Sequence, residues 1–173
     1  MSKTKAKTGE MLKEFLMDIQ RGKDEVKKKE GVLTGDEMER KNILNLKIVC
    51  CVDVSASISS EQYNSFMNQV RMVKGLSRVQ VIETDTEISC MYNLDLAERR
   101  GDEVVRLRGG GGTDFEIAFK AACEMKPDAI LFLTDGDDSG SLKKPKDIPV
   151  AWCVTNNGHA PYTWGKEIGR VDT

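Results

Sequence analysis

Histidine is almost missing from this chain: His159 stands alone among 173 residues. A zinc-peptidase helix of the H-E-x-x-H type needs two, so that chemistry is excluded, and a Ser-His-Asp or Cys-His centre would hang on one loop residue. Long apolar runs are missing as well, since none approaches the roughly 20 residues that a membrane span needs. The basic start, Met-Ser-Lys-Thr-Lys, is followed by no apolar core and does not read as a signal peptide. Cys50, Cys51, Cys90, Cys123 and Cys153 show no C-x-x-C spacing and mostly sit inside apolar segments. A disulfide framework would be denser and loop-borne, and a zinc site wants paired ligands, so reduced, buried thiols are expected. Nor does one sign of charge prevail. Lys+Arg 26 against Asp+Glu 28 leaves a net charge of -2, with no field directed at nucleic acid or an anionic membrane. Together these absences point to a cytoplasmic globular protein with one domain's worth of chain.

What is present divides in two. Residues 1–46 read as a helical lead-in or arm, in which Leu12, Phe15, Leu16 and Ile19 recur at helical spacing among Lys and Glu. Gly31 and Gly35 interrupt it, and Thr34 with Glu37 forms a capping-box pattern for a second short helix through Ile43 and Leu44. Packing of this lead-in on the main domain is the plainer expectation; an arm for a partner is the sharper one. Its mild excess of Lys and Arg is too small to support RNA binding.

From Lys47 to Thr173 short apolar runs alternate with helical patterns, as in a doubly wound, mostly parallel α/β sheet. Ile48–Val52, Ala129–Leu133 and Val150–Val154 are continuous apolar runs, expected of strands covered on both faces. Val79–Thr84 reads as another strand. Ile88–Tyr92 and Val104–Leu107 read as shorter ones, one of them a candidate antiparallel edge. Ser59 with Gln62 can cap a helix carrying Tyr63, Phe66, Met67, Val70 and Val73 on one face. A second apolar helical face holds Phe115, Ala118, Phe119 and Ala122, closed by Pro127. Gly158–Trp164 reads as irregular.

Two core strands run straight into an acid, Val52 into Asp53 and Leu133-Thr134 into Asp135. Ligands of open parallel sheets bind beyond the strands' carboxyl ends, so these two carboxylates are expected at one mouth, where a cation would relieve their repulsion. In Asp53-Val54-Ser55-Ala56-Ser57, alternate spacing lets an extended turn aim Asp53, Ser55 and Ser57 the same way. Between the acids lies Gly109-Gly110-Gly111-Gly112-Thr113-Asp114, whose glycines permit close backbone approach and whose Thr113 or Asp114 should open a helix. Hydroxyls and carboxylates are hard oxygen ligands, suited to Mg²⁺ or Mn²⁺, with Ca²⁺ a further candidate, rather than to zinc. Each piece also has a plain structural reading: Ser57 and Ser59 as helix caps, Thr113 with Glu116 as a capping box, Asp135-Gly136 as a turn.

Asp53-x-Ser55-x-Ser57, Thr113 in its glycine-rich loop and Asp135 after an apolar strand resemble the metal-ion-dependent adhesion site of von Willebrand factor A domains, over roughly residues 47 to 155. Gly-Gly-Gly-Gly-Thr-Asp-Phe, Leu-Thr-Asp-Gly and Pro149-Val-Ala-Trp are similar to the C-terminal domain of bacterial proteins labelled metal-dependent peptidases. The zincin-like segment of those proteins has no counterpart here, so the peptidase label does not transfer. The resemblance implies metal contacts from Ser55, Ser57 and Thr113, with Asp53 and Asp135 holding the ion directly or through water. It puts Gly112 and Asp114 just behind these ligands, and Asp137 and Asp138 at the mouth, where a solvated acidic loop is the plainer reading. It further implies a protein partner offering a Glu or Asp carboxylate, with MoxR-type AAA+ ATPases the first class to try.

The competing reading is a metal-dependent hydrolase or phosphatase using the same site. Haloacid dehalogenase-type phosphatases also start from an acid after the first strand, but typically place a second Asp two residues on, where this chain has Ser55. The glycine run likewise lacks the Lys of a Walker A loop. A binding module is the expectation.

Overall fold

The computed structural model describes residues 3–31, 46–100 and 110–171. The expected second helix around Thr34 to Leu44, the strand at Val104–Leu107 and Gly109 lie outside the described residues. Six strands form one sheet: β1 (Lys47–Asp53), β2 (Arg78–Thr84), β3 (Ile88–Asn93), β4 (Ala129–Thr134), β5 (Val150–Thr155) and β6 (Lys166–Val171). Among the described residues four helices accompany them: α1 (Lys3–Lys29), α2 (Ser60–Lys74), α3 (Leu94–Arg100) and α4 (Glu116–Glu124). The strand order is β3-β2-β1-β4-β5-β6, all parallel except β3, which runs antiparallel at one edge. This is the mostly parallel, doubly wound α/β sheet that the apolar runs predict.

The runs Ile48–Val52, Ala129–Leu133 and Val150–Val154 within β1, β4 and β5 are apolar throughout because both faces are covered. Side chains alternate between the faces, so Ile48, Cys50 and Val52 enter one cluster while Val49 and Cys51 enter the other. The first cluster is covered by Tyr63, Phe66, Met67, Val70 and Val73 of α2 and by Leu12, Phe15 and Leu16 of α1. The second is covered by Ala118, Phe119 and Ala122 of α4 and by a ring cluster around Trp152, in which Phe119, Tyr162 and Trp164 lie with ring centroids within 6.0 Å of it. Burial pushes the thiols of Cys50, Cys51 and Cys153 up, the last to about 12, and all five cysteines are free.

The lead-in helix thus packs on the sheet. Leu16 is 1% exposed, and the Thr8 hydroxyl donates to the Arg170 carbonyl of β6 at 3.1 Å. Two elements are not anticipated by the sequence patterns. β6 reads Lys-Glu-Ile-Gly-Arg-Val and buries only Ile168 and Val171, and α3 is one short, charged helix.

The order β2-β1-β4 creates a switch point beside β1. The chain leaves β1 toward β2 and returns on its other side as β4, so the connections diverge at the β1–β4 crevice. Such switch points, at the strands' carboxyl ends, are where open α/β sheets take ligands.

Candidate metal centre

Register sets the site. Val52 pairs with Leu133 and Asp53 with Thr84, so the last residues of β1, β2 and β4 end side by side. Asp53 is fully buried. Its Oδ1 accepts from the Ser55 N–H at 2.9 Å and its Oδ2 from the Thr134 hydroxyl at 2.7 Å. The Thr134 oxygen also accepts from the Gly136 N–H at 2.9 Å, so one hydroxyl links Asp53 to the turn after β4. Burial pushes the Asp53 carboxyl up to about 6, and the Asp135 charge adds to the rise, while the Ser55 amide and the Thr134 hydroxyl pull it down. The turn after β1 brings the Ser55 and Ser57 hydroxyls to 3.1 Å from each other. Ser59 and Gln62 then form the expected reciprocal capping box at the start of α2.

The glycine loop is laid against this turn by backbone bonds, Gly110 N–H to the Val54 carbonyl at 3.0 Å and Ala56 N–H to the Gly111 carbonyl at 3.1 Å. Gly110 adopts φ +105, which a side chain disfavours. Thr113 follows directly, half-buried. The capping box expected of Thr113 and Glu116 does not form. The helix cap is Phe115 without a side-chain bond, and the Thr113 carbonyl is drawn outward by the Ser139 N–H at 3.1 Å and by the Ser139 hydroxyl. Carboxylates serve α4 instead: Asp114 Oδ1 accepts from the Glu116 N–H at 2.9 Å, and Asp138 Oδ1 from the Phe115 N–H at 3.3 Å.

Beyond β4, Asp135 is half-buried and its Oδ1 accepts from the Asp137 N–H at 3.2 Å. The Asp135 carbonyl receives the His159 N–H at 2.9 Å, so the β5–β6 connection buttresses it. The approach is close enough that a Cβ on Gly136, at φ +99, would lie 1.9 Å from the His159 carbonyl oxygen. Asp137 is exposed. Asp138 departs from the expected solvated acid, because it also accepts from the Gly140 N–H at 3.0 Å and from the Tyr162 hydroxyl. Burial and this carboxylate push the Tyr162 hydroxyl up.

The structure therefore gathers Asp53, Ser55 and Ser57 at the mouth, with Asp135 close enough to act on Asp53 and Thr113 on the loop tied to the same turn. Gly112 and Asp114 flank Thr113, Asp137 stands on the rim, and Asp138 ties the loops together. Two contributors escape the sequence patterns, Thr134 and Asp85. Asp85 carries the same signal as the other two acids, a strand running into a carboxylate, and its Oδ2 accepts from the Gly111 N–H at 3.1 Å. Among the described residues no three His, Cys, Asp or Glu side chains form a metal-holding group. The mouth is a different kind of set, two carboxylates and the rest hydroxyls.

A mostly parallel sheet with these loops at its switch point defines an α/β domain of the von Willebrand factor A type. Residues 48–169 match the family described as VWA-like domain (DUF2201), and the chain belongs to it. No curated protein matches the chain.

Proposed function

We propose that this domain is a protein-interaction module in which Asp53, Ser55, Ser57, Thr113 and Asp135 hold one divalent cation, Mg²⁺ first, with Mn²⁺ and Ca²⁺ as the other candidates. The observation that carries this reading is the buried Asp53 carboxylate. It is held away from water, raised by burial and by a second carboxylate, and set beside two serine hydroxyls. The donor set fits the ion, because every candidate ligand is oxygen and hydroxyls leave a divalent cation electrophilic. When bound, the cation supplies one strong, directional anchor for a Glu or Asp carboxylate of a partner protein. The chain's own residues prepare for it. Thr134 and the Ser55 amide orient Asp53, the His159 amide braces Asp135, and Ser139 pins the Thr113 backbone.

Binding is preferred over hydrolysis because the position two residues beyond Asp53 carries the Ser55 hydroxyl rather than a second acid. The partner class we would test first is a MoxR-type AAA+ ATPase. No described helix is long and apolar enough to cross a membrane.

Calorimetric titration of metal-stripped protein with Mg²⁺ tests the proposal. Wild type should give a saturable heat, and Asp53→Ala with Ser55→Ala should remove it while circular dichroism stays that of wild type. A double variant that still takes up Mg²⁺ and still captures partner in a metal-dependent way would sink the proposal.

A further inference from the structure

Asp85 stands one residue past β2, beside the strand end that carries Asp53, and is not among the ligands. Its polar groups divide between two tasks. Its N–H donates to the Glu87 carbonyl at 3.1 Å and its Oδ1 accepts from the Glu87 N–H at 3.0 Å, which closes the β2–β3 turn. Its Oδ2 accepts from the Gly111 N–H at 3.1 Å and its carbonyl accepts from the Asp114 N–H at 3.0 Å. One residue thus grips the glycine loop at two points, and the residues between those points are Gly112 and Thr113.

The grip is close. A Cβ on Gly111 would come within 3.1 Å of Asp85 Oδ2 and 3.3 Å of the Thr86 hydroxyl, so glycine is what lets the loop lie against this turn. The chemistry of the side chain is equally specific. A carboxylate offers an acceptor to each of two N–H donors, whereas an amide has a single acceptor oxygen and would turn its NH₂ toward the other donor. Hydrogen bonds to an ionised acceptor are also the stronger kind.

We infer that Asp85 is a positioning residue for Thr113: it staples the loop on both sides of that residue and so sets the affinity of the mouth for a divalent cation. The inference rests on the metal-holding reading of Asp53, Ser55, Ser57, Thr113 and Asp135. It adds a determinant of affinity that never touches the ion.

The experiment has two arms on the whole chain. Amide hydrogen exchange of metal-free wild type, Asp85→Asn, Asp85→Ala and Asp53→Ala reads the staple, and Mg²⁺ calorimetry of the same four proteins reads its consequence. Asp85→Ala removes the acceptor of the Gly111 N–H and keeps the backbone carbonyl that serves Asp114, so it should speed exchange at Gly111 more than at Asp114 and weaken Mg²⁺ binding, the Gly111 and Mg²⁺ effects each about tenfold. Asp85→Asn should fall between it and wild type, and Asp53→Ala should lose binding with the Gly111 amide still protected. Gly111→Ala presses on the same contact from the other side and serves if Asp85→Ala does not fold. Unchanged protection at Gly111, or unchanged Mg²⁺ affinity in a variant whose loop exchange has risen, would overturn the role of Asp85 alone. A flat titration of wild type would overturn the metal reading and this inference together.

Discussion

The two ends of the sheet treat carboxylates in opposite ways. At the amino end, Asp128 opens the approach to β4, and both its oxygens are answered by the chain: Oδ1 by the Lys23 ammonium of α1, Oδ2 by the Lys47 N–H at 2.8 Å. Around it a groove of about 700 Å³ runs between the second half of α1 and Pro127, Asp147 and Pro149. At the carboxyl end Asp53 is far more buried and faces a second acid, and among the described residues no lysine or arginine forms an ion pair with Asp53 or Asp135. One end of the molecule pairs its acid with a lysine; the other holds its acids in place with hydrogen bonds. A fold optimised only for its own stability would not do the second, because a buried acid beside another acid costs free energy.

Substitutions at the two ends should therefore separate stability from binding. The largest effect belongs to the covering of the sheet. Leu16→Ala, at a side chain 1% exposed, should cost about 2–5 kcal/mol in denaturant unfolding, while the protein that remains folded keeps its Mg²⁺ affinity. A parallel loss of affinity would mean that α1 and the mouth are not independent.

Next comes Asp53→Asn, which should go the other way in stability. In metal-free protein the folded carboxyl keeps its proton up to about pH 6, and the unfolded chain releases it near 3.8. Between those values the folded state binds more protons, so stability falls as pH rises from about 4 to 6 and stays lowered above. Asp53→Asn should flatten that slope and make the metal-free protein more stable at pH 7 to 8, on the order of 1–3 kcal/mol, with Mg²⁺ adding nothing further. Thermal melts across that pH range check it; a wild-type profile that does not fall would show that ionised Asp53 is already compensated within the chain. The smallest effect is expected of Lys23→Ala. Its partly exposed ion pair should be worth less than about 1 kcal/mol, and a larger loss would mean that the amino end relies on that charge more than its geometry suggests.

The sequence shows this contrast unevenly. Asp53, Ser55, Ser57, Thr113 and Asp135 are legible because each sits where an apolar run or a glycine run breaks off, and such breaks mark strand and helix ends. Leu12, Phe15 and Leu16 are legible through helical spacing. Thr134 is not, since its importance comes from lying next to Asp53 across a strand pair, and cross-strand register is a property of the fold. Asp138 looks like one more solvated acid until Tyr162, 24 residues later, is brought to it. β6 stays hidden for a related reason. As an edge strand it buries two side chains and shows polar ones elsewhere, so neither alternation nor an apolar run stands out. The capping box read at Thr113 and Glu116 fails because the helix starts two residues later, at the Phe115 cap, and Asp114 takes the Glu116 N–H that the Thr113 hydroxyl would have capped.

The docking of α1 bears on where this protein can be cut. The family match begins at residue 48 and leaves α1 out. Yet Leu12, Phe15 and Leu16 belong to the same apolar cluster as Ile48 and Ile168, and Thr8 closes on the backbone of β6, which among the described residues has a strand neighbour on one side only. A fragment trimmed to the match would bare that cluster beside an unpaired strand edge, the combination that invites chains to pair with one another. The recognisable unit and the unit that covers its own apolar cluster are thus different lengths of the same chain.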